Sequence, residues 1–338
     1  MDALTTTAIN VTTLPPSDGN QTGNGTIRQA YFGTIYVYGA ITATTTLTNT
    51  VMLCFIIFER KLHTMSNWIL ASMFCVGIVY ALVYLFPRWV MFVPWRLFNS
   101  YACQILPLVG SALIINFNLH LVLVSLDRYC CVIFPFHYNM PQAPIIVRTS
   151  ILAAWVISFI IAFMPLCTFL VPVIGKCSDQ LNTRSFHIYT LVAFIMLFYL
   201  PLFMLCVVYS RILWIVNIHT QRRNEILAQS NFMPASVIRR NLRAITYTAI
   251  LIGFFMAFWL PALIQYAVLF PTVHLGLDKL NIQLGEIFRY LSLAYPAISP
   301  LLYAYFTPTL RSEIYKKLTS RICQNSYKSS RSIYPEYS

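Results

Sequence analysis

The chain has 338 residues, 58% hydrophobic and only 10% charged, with a mean hydropathy of +0.67 and a net charge of +13. An ordinary soluble domain carries about a quarter charged residues, and 23 basic with 10 acidic side chains cannot cover a globule of this size in water. These numbers exclude a soluble globular enzyme and make lipid the main solvent.

Residues 1–28 are rich in Thr, Asn, Gly and Pro and read as a disordered extracellular tail without a cleavable signal peptide, so the first span must direct insertion. Asn10, Asn20 and Asn24 each open an Asn-X-Thr glycosylation sequon in this tail. Seven charge-free runs follow, at 29–58, 62–87, 97–126, 149–175, 185–210, 244–277 and 290–310. Each meets the roughly 20 residues that a helix needs to cross the hydrocarbon core. Backbone groups in lipid are satisfied only in helices or closed barrels, and these runs are continuous rather than alternating. The expected fold is therefore an all-α membrane protein, a seven-transmembrane helix bundle over residues 29–306. An eighth run, 129–147, contains Pro135, Pro141 and Pro144 together with His137, Asn139 and Gln142, and reads as loop.

Seven spans leave the termini on opposite sides of the membrane. With the N-terminus outside, the cytoplasmic segments hold 16 of the 23 Lys and Arg, among them Arg60, Lys61, Arg148, the group Arg222 to Arg243 and the group Arg311 to Arg331. The basic excess is thus a topogenic signal and an attraction to the anionic inner leaflet, not a nucleic-acid footprint. Residues 307–322 have the basic, amphipathic character of a helix lying along the membrane, and 323–338 form a cytoplasmic tail.

Most of the nine cysteines fall in or beside spans, where a thiol packs as a small hydrophobe. Cys103 and Cys177 face an oxidising compartment and can pair, with Cys167 as the competing partner. The six histidines show no metal-ligand spacing, and no Gly-rich phosphate loop, cofactor motif or catalytic constellation is present. His120, in the middle of the third span, reads as hydrogen-bonded inside the bundle.

At the cytoplasmic end of the third span the chain reads Leu126-Asp127-Arg128-Tyr129, followed by Pro135 and Tyr138. Asn49 stands in the first span, Cys103 lies 25 residues before Arg128, and Trp155 is in the fourth. Pro201 and Tyr209 are in the fifth, Phe255 and Trp259-Leu260-Pro261 in the sixth, and Ser299-Pro300-Leu301-Leu302-Tyr303 in the seventh. In this set the chain resembles the rhodopsin-like class of G-protein-coupled receptors. The resemblance implies a plasma-membrane receptor that converts binding of an extracellular ligand into nucleotide exchange on a heterotrimeric G protein. It also implies an activation switch made of Asp127, Arg128, Tyr129, Tyr209, Phe255, Trp259, Pro261, Pro300 and Tyr303, and a palmitoylation site at Cys323. Independently of the resemblance, an Arg at the membrane edge is costly unless paired, Asp127 is its neighbour, and Pro201, Pro261 and Pro300 are points where a helix can bend.

Departures from the family pattern are equally specific. Gly77 stands where the family has an aspartate, Ser299 where an Asn precedes the proline, and Phe117 where a small polar residue is usual, so sodium regulation is not expected. Asn241 stands where several relatives carry an acid opposite the helix-three arginine. Gly110 takes the position of the aspartate of amine receptors, and the seventh span has no Lys of the kind that holds retinal. The usual ligand positions become Gly110, Ser111, Ile114, Ala193, Phe194, Leu197, Ala262, Leu263 and Tyr266, an apolar lining with Arg289 as its one cation. Arg289 is suited to a ligand carboxylate, and Glu286, one turn earlier, is equally suited to neutralise it. The expected ligand is small and largely apolar with an acidic or accepting end, and the divergence leaves a chemosensory role open. The alternative class, a membrane transporter or channel, calls for repeated halves or interrupted helices that the sequence does not display.

Overall fold

The computed structural model describes residues 21–90, 100–133, 141–168, 249–262 and 278–306, with scattered helical positions at 188–214, at 264 and at 310–319. The first helix runs Gln21–Phe58 and is followed by a 3-10 turn, Arg60–Leu62. The second, Met65–Val79, starts where the Thr64 side chain accepts the Asn67 N–H, and it continues with π-helical hydrogen bonding through Tyr80–Val90. The third and fourth are Ser100–Ile133 and Ala143–Thr168. The sixth span is described over Ala249–Ala262 and the seventh over Asp278–Phe306. Among the described residues, four helices are long and apolar enough to cross a membrane: Gly33–Phe58, Met65–Val90, Ile105–Cys131 and Ala143–Cys167.

The helices overrun several charge-free runs. The first begins eight residues earlier than its run, so Asn24 lies on helical backbone rather than in an irregular tail. The second carries Arg88 inside it, a residue that charge counting places in an extracellular loop. Buried pairs recur there every four residues, Tyr80 with Ala81, Tyr84 with Leu85, Arg88 with Trp89. That spacing exceeds the 3.6-residue α-turn, and the wider π-turns hold the stripe inward. The seventh helix starts at Asp278 and so includes Glu286 and Arg289.

The third helix is the centre of the bundle, with 67% of its most apolar window buried against 22% for the fourth. It packs on the second and fourth helices, and the first helix packs on the second and seventh. Outward faces carry Leu47, Leu152, Ile160 and Leu301, the side chains expected against lipid. The first helix tolerates the run Thr42 to Thr50 because its hydroxyls fold back on the backbone. Thr42, Thr45, Thr46 and Thr48 each donate to the carbonyl four residues earlier, at 2.7 to 2.9 Å.

The seventh helix contains Pro296 and Pro300. A proline has no N–H for the carbonyl four residues back, so Pro300 leaves the Pro296 carbonyl without its helical donor. Asn49 of the first helix supplies the replacement, its Nδ2 donating to the Pro296 carbonyl at 2.8 Å and to the Thr45 carbonyl at 2.8 Å. Thr48 Oγ1 adds a bond to the Ala297 carbonyl at 3.0 Å. The bend in one span is thus sealed by an amide in another.

Candidate functional site

At the cytoplasmic ends, Asp127 is buried and its Oδ2 accepts a hydrogen bond from Ser66 Oγ at the start of the second helix. Arg128 Nε lies 3.9 Å from the same oxygen, with its side chain partly open. The charge pair of the third helix is therefore fastened to the second. Tyr303 of the seventh helix donates to Asn67 Oδ1 at 2.7 Å, while Asn67 Nδ2 donates to the Leu62 carbonyl at 2.7 Å. Two adjacent residues, Ser66 and Asn67, thereby tie the third and seventh helices to one point. Tyr209 is helical and half-buried on the fifth span, and Tyr129 is half-buried beside the pair.

Mid-membrane, a neutral network surrounds His120. Its Nδ1 lies 2.9 Å from the Asn116 carbonyl and its Nε2 2.8 Å from Ser72 Oγ, which also accepts the Trp155 Nε1–H at 3.1 Å. A ring with Nδ1 protonated and Nε2 accepting satisfies every group. Closer to the axis, Tyr295 of the seventh helix is fully buried, edge-on to Phe117 at 5.7 Å and to Phe255 at 5.2 Å, and its hydroxyl donates to the Leu251 carbonyl at 3.0 Å. A cavity walled by Leu113, Ile114, Phe117, Phe255 and Trp259 among others measures about 10 Å³. That holds one water at most, and its apolar walls keep it dry. A Cβ on Gly77 would fall 2.5 Å from Asn49 Oδ1, so the asparagine that caps the seventh helix already fills the place of a side chain there.

In the outer half, Gly110 is covered by the second helix: a Cβ added there would collide with the Tyr84 ring. Ile114 reaches the apolar cavity, whereas Ser111 is exposed and turned away from it. Tyr38 stacks on Trp89 with ring centroids 4.5 Å apart and meets Tyr290 at 4.9 Å. The guanidinium carbons of Arg88 and Arg289 lie 5.0 and 5.3 Å from the Trp89 ring centroid. Arg289 Nη2 pairs with Glu286 Oε1 at 3.3 Å.

Residues 48–303 match the model of the family described as "7 transmembrane receptor (rhodopsin family)". The chain belongs to that family. It is a seven-span receptor of the plasma membrane, with the helical bundle that the charge-free runs predict. Relatives include the human histamine H2 receptor, 28% identical over 313 residues, covering 88% of this chain and 83% of that one. The guinea-pig (Cavia porcellus) histamine H2 receptor is 28% identical over 316 residues, covering 89% and 84%. The rat trace amine-associated receptor 7h is 26% identical over 310 residues, covering 86% and 83%.

Several positions expected to matter in the receptor lie outside the described residues: Phe194, Leu197, Leu263, Tyr266, Asn241, Cys177, Cys323, Asn10 and Asn20, together with the side chains of Asn24 and Cys103. Cys167 carries a free thiol at the end of the fourth helix. Pro261 and Ala262 are half-buried, and Pro300 is buried. Sequence reasoning missed Tyr38, Tyr84, Arg88, Trp89 and Tyr295. The available signal was Arg88, a charge adjoining an apolar run and followed by an aromatic. Ending the span at the charge hid it.

Proposed function

We propose that the receptor couples an extracellular ligand to nucleotide exchange on a heterotrimeric G protein, with Arg128 as the group released on activation. The observation that carries this reading is the fastening of Asp127 and Tyr303 to Ser66 and Asn67. Such an arrangement holds the cytoplasmic ends of three helices together, and an outward swing of the sixth span would open a site lined by Arg128, Tyr209 and Tyr303. A bridge from Cys103 to Cys177 and glycans on the tail belong to the same reading, supported by the free thiol of Cys167.

The ligand of this reading is small and largely apolar, with an acidic or accepting end. The relatives are named for histamine and trace amines, yet the glycine at position 110 lies under Tyr84 and the nearby Glu286 is engaged by Arg289. Neither supports an ammonium anchor. The test is guanine-nucleotide exchange in membranes reconstituted with receptor and G protein, with histamine as the amine probe. The expected outcome is receptor-dependent exchange that histamine does not raise, and that Arg128→Ala abolishes while surface expression persists. Exchange unaffected by Arg128→Ala would overturn the switch, and a histamine response lost in Glu286→Gln would overturn the ligand class.

A further inference from the structure

We infer that Tyr189, at the outer end of the fifth span, is a positioning residue that fastens this span to a proline break in the fourth and so holds the receptor in its resting arrangement. The inference goes beyond the receptor reading above and rests on it for the effect on the G protein. Pro165 is buried inside the fourth helix, four residues after Ile161. A proline there has no N–H for the Ile161 carbonyl, and in lipid such a carbonyl must find its donor elsewhere. The Tyr189 hydroxyl provides it, donating to the Ile161 carbonyl at 2.5 Å across 28 residues of chain.

The place of this bond gives it a function. Ile161 packs on a cluster that joins Ala162 of the fourth helix to Ala112 and Ile115 of the third. Those two residues are interleaved with Gly110, Ser111 and Ile114, so the tie lies at the level of the expected ligand positions. The fourth helix is itself a fixed post, because Trp155 donates to Ser72 of the second helix, which also bonds His120 of the third. Tyr189 extends that network to the fifth span. In the sequence Ala193 and Leu197 follow Tyr189 by four and eight residues, and Tyr209 follows by twenty. As a helix that stretch reaches about 30 Å, from the ligand level to the cytoplasmic opening. One side-chain hydrogen bond can be made or lost without disturbing the rest of either helix, which is the two-state behaviour that a restraint on a moving span requires.

The experiment is a double-substitution cycle on the full-length receptor: Tyr189→Phe, Pro165→Ala and both together. It is read as melting temperature in detergent and as ligand-free guanine-nucleotide exchange in membranes reconstituted with a heterotrimeric G protein. Tyr189→Phe removes one oxygen and strips the Ile161 carbonyl of its donor, whereas Pro165→Ala gives that carbonyl a donor within its own helix. Tyr189→Phe should therefore lower the melting temperature in the parent and by much less in the Pro165→Ala background. Ligand-free exchange per folded receptor should rise about two- to tenfold with Tyr189→Phe in both backgrounds, the population change that one hydrogen bond of ordinary strength carries. Exchange that stays raised once stability is recovered separates a lost restraint from general loosening. Where Tyr189→Phe alone does not fold, the double variant is compared with Pro165→Ala, and its folding itself supports the pairing. An equal melting cost in both backgrounds overturns the pairing of Tyr189 with the proline break. Exchange that is unchanged, or that falls back as stability returns, overturns the positioning role. Exchange absent from every receptor, parent included, overturns the coupling reading, while the melting cycle still decides the bond.

Discussion

Gly77 and Gly110 show how much a single missing side chain encodes once its surroundings are known. Each stands where the family pattern or its amine branch has an aspartate, and each is covered by a neighbour, Asn49 in one case and Tyr84 in the other. Restoring the acid therefore means overpacking, which costs about 1–3 kcal/mol in a well-packed interior. Gly77→Ala should lower the melting temperature of the purified receptor, because the Asn49 amide is pinned by two carbonyls and cannot retreat. Gly110→Asp should destabilise likewise and create no exchange response to histamine. A stable Gly110→Asp receptor that gained an amine response would show that Tyr84 moves aside readily. His120 illustrates the opposite case: its structural role was legible from a lone histidine in an apolar run, since only an internal hydrogen bond makes that position tolerable.

Among the elements, the seventh helix depends most on its neighbours. Two prolines four residues apart interrupt its hydrogen bonding, and the first helix supplies the Pro296 carbonyl with a donor through Asn49, while Thr48 adds a tie to the Ala297 carbonyl. Asn49→Ala leaves the buried Pro296 carbonyl with only the long Ser299 Oγ contact at 3.5 Å and should cost about 1–2 kcal/mol, read as a lower melting temperature, with Asn49→Asp no better because a carboxylate cannot donate. The helix that follows is fastened more lightly. Glu313 accepts from Lys316 at 3.2 Å and from Lys61 of the first cytoplasmic turn at 3.4 Å. The Lys316 hydrogen bond first, and Lys61 after it, hold the Glu313 carboxyl below the usual carboxylate range. A depressed carboxylate contributes fully above its ordinary range and loses its contribution as pH falls through the lowered value, so this fastening should persist across cytoplasmic pH and loosen only in acid. On the outer side, a Cys103–Cys177 bridge would close a loop long enough to contribute about 4 kcal/mol by chain entropy. Peptide mapping under non-reducing conditions should recover that pair, and Cys103 recovered free would refute it.

At the scale of the whole molecule, aromatic packing and short polar ties hold the described helices together. Phe117, Phe255 and Tyr295 pack together at the axis, the cavity beside Phe117 and Phe255 has room for one water at most, and the ties sit at Ser66 and Asn67. Replacing sodium by a large organic cation should therefore leave the melting temperature unchanged, and a marked drop would reveal an ion site that this packing does not leave room for. The absence of an acid at positions 77 and 241 removes two familiar restraints, while the Ser66 and Asn67 ties add others. Ser66→Ala and Asn67→Ala should raise ligand-free nucleotide exchange over the parent receptor, with unchanged basal exchange arguing that the aromatic core alone holds the resting state.

The chain by itself determined the number of spans, the side on which each terminus lies and the positions of the charged and proline-containing motifs. These are properties of a one-dimensional pattern, because crossing lipid requires an uninterrupted apolar length and Lys and Arg accumulate on the cytoplasmic side. Only the tertiary structure decided that Arg88 lies inside the bundle, that Tyr84 covers Gly110 and that Tyr295 fills the axis beside Phe117. Each of those facts depends on which face one helix turns to another. In a span that is apolar all round, hydrophobicity carries no record of that face, and packing between the helices sets it.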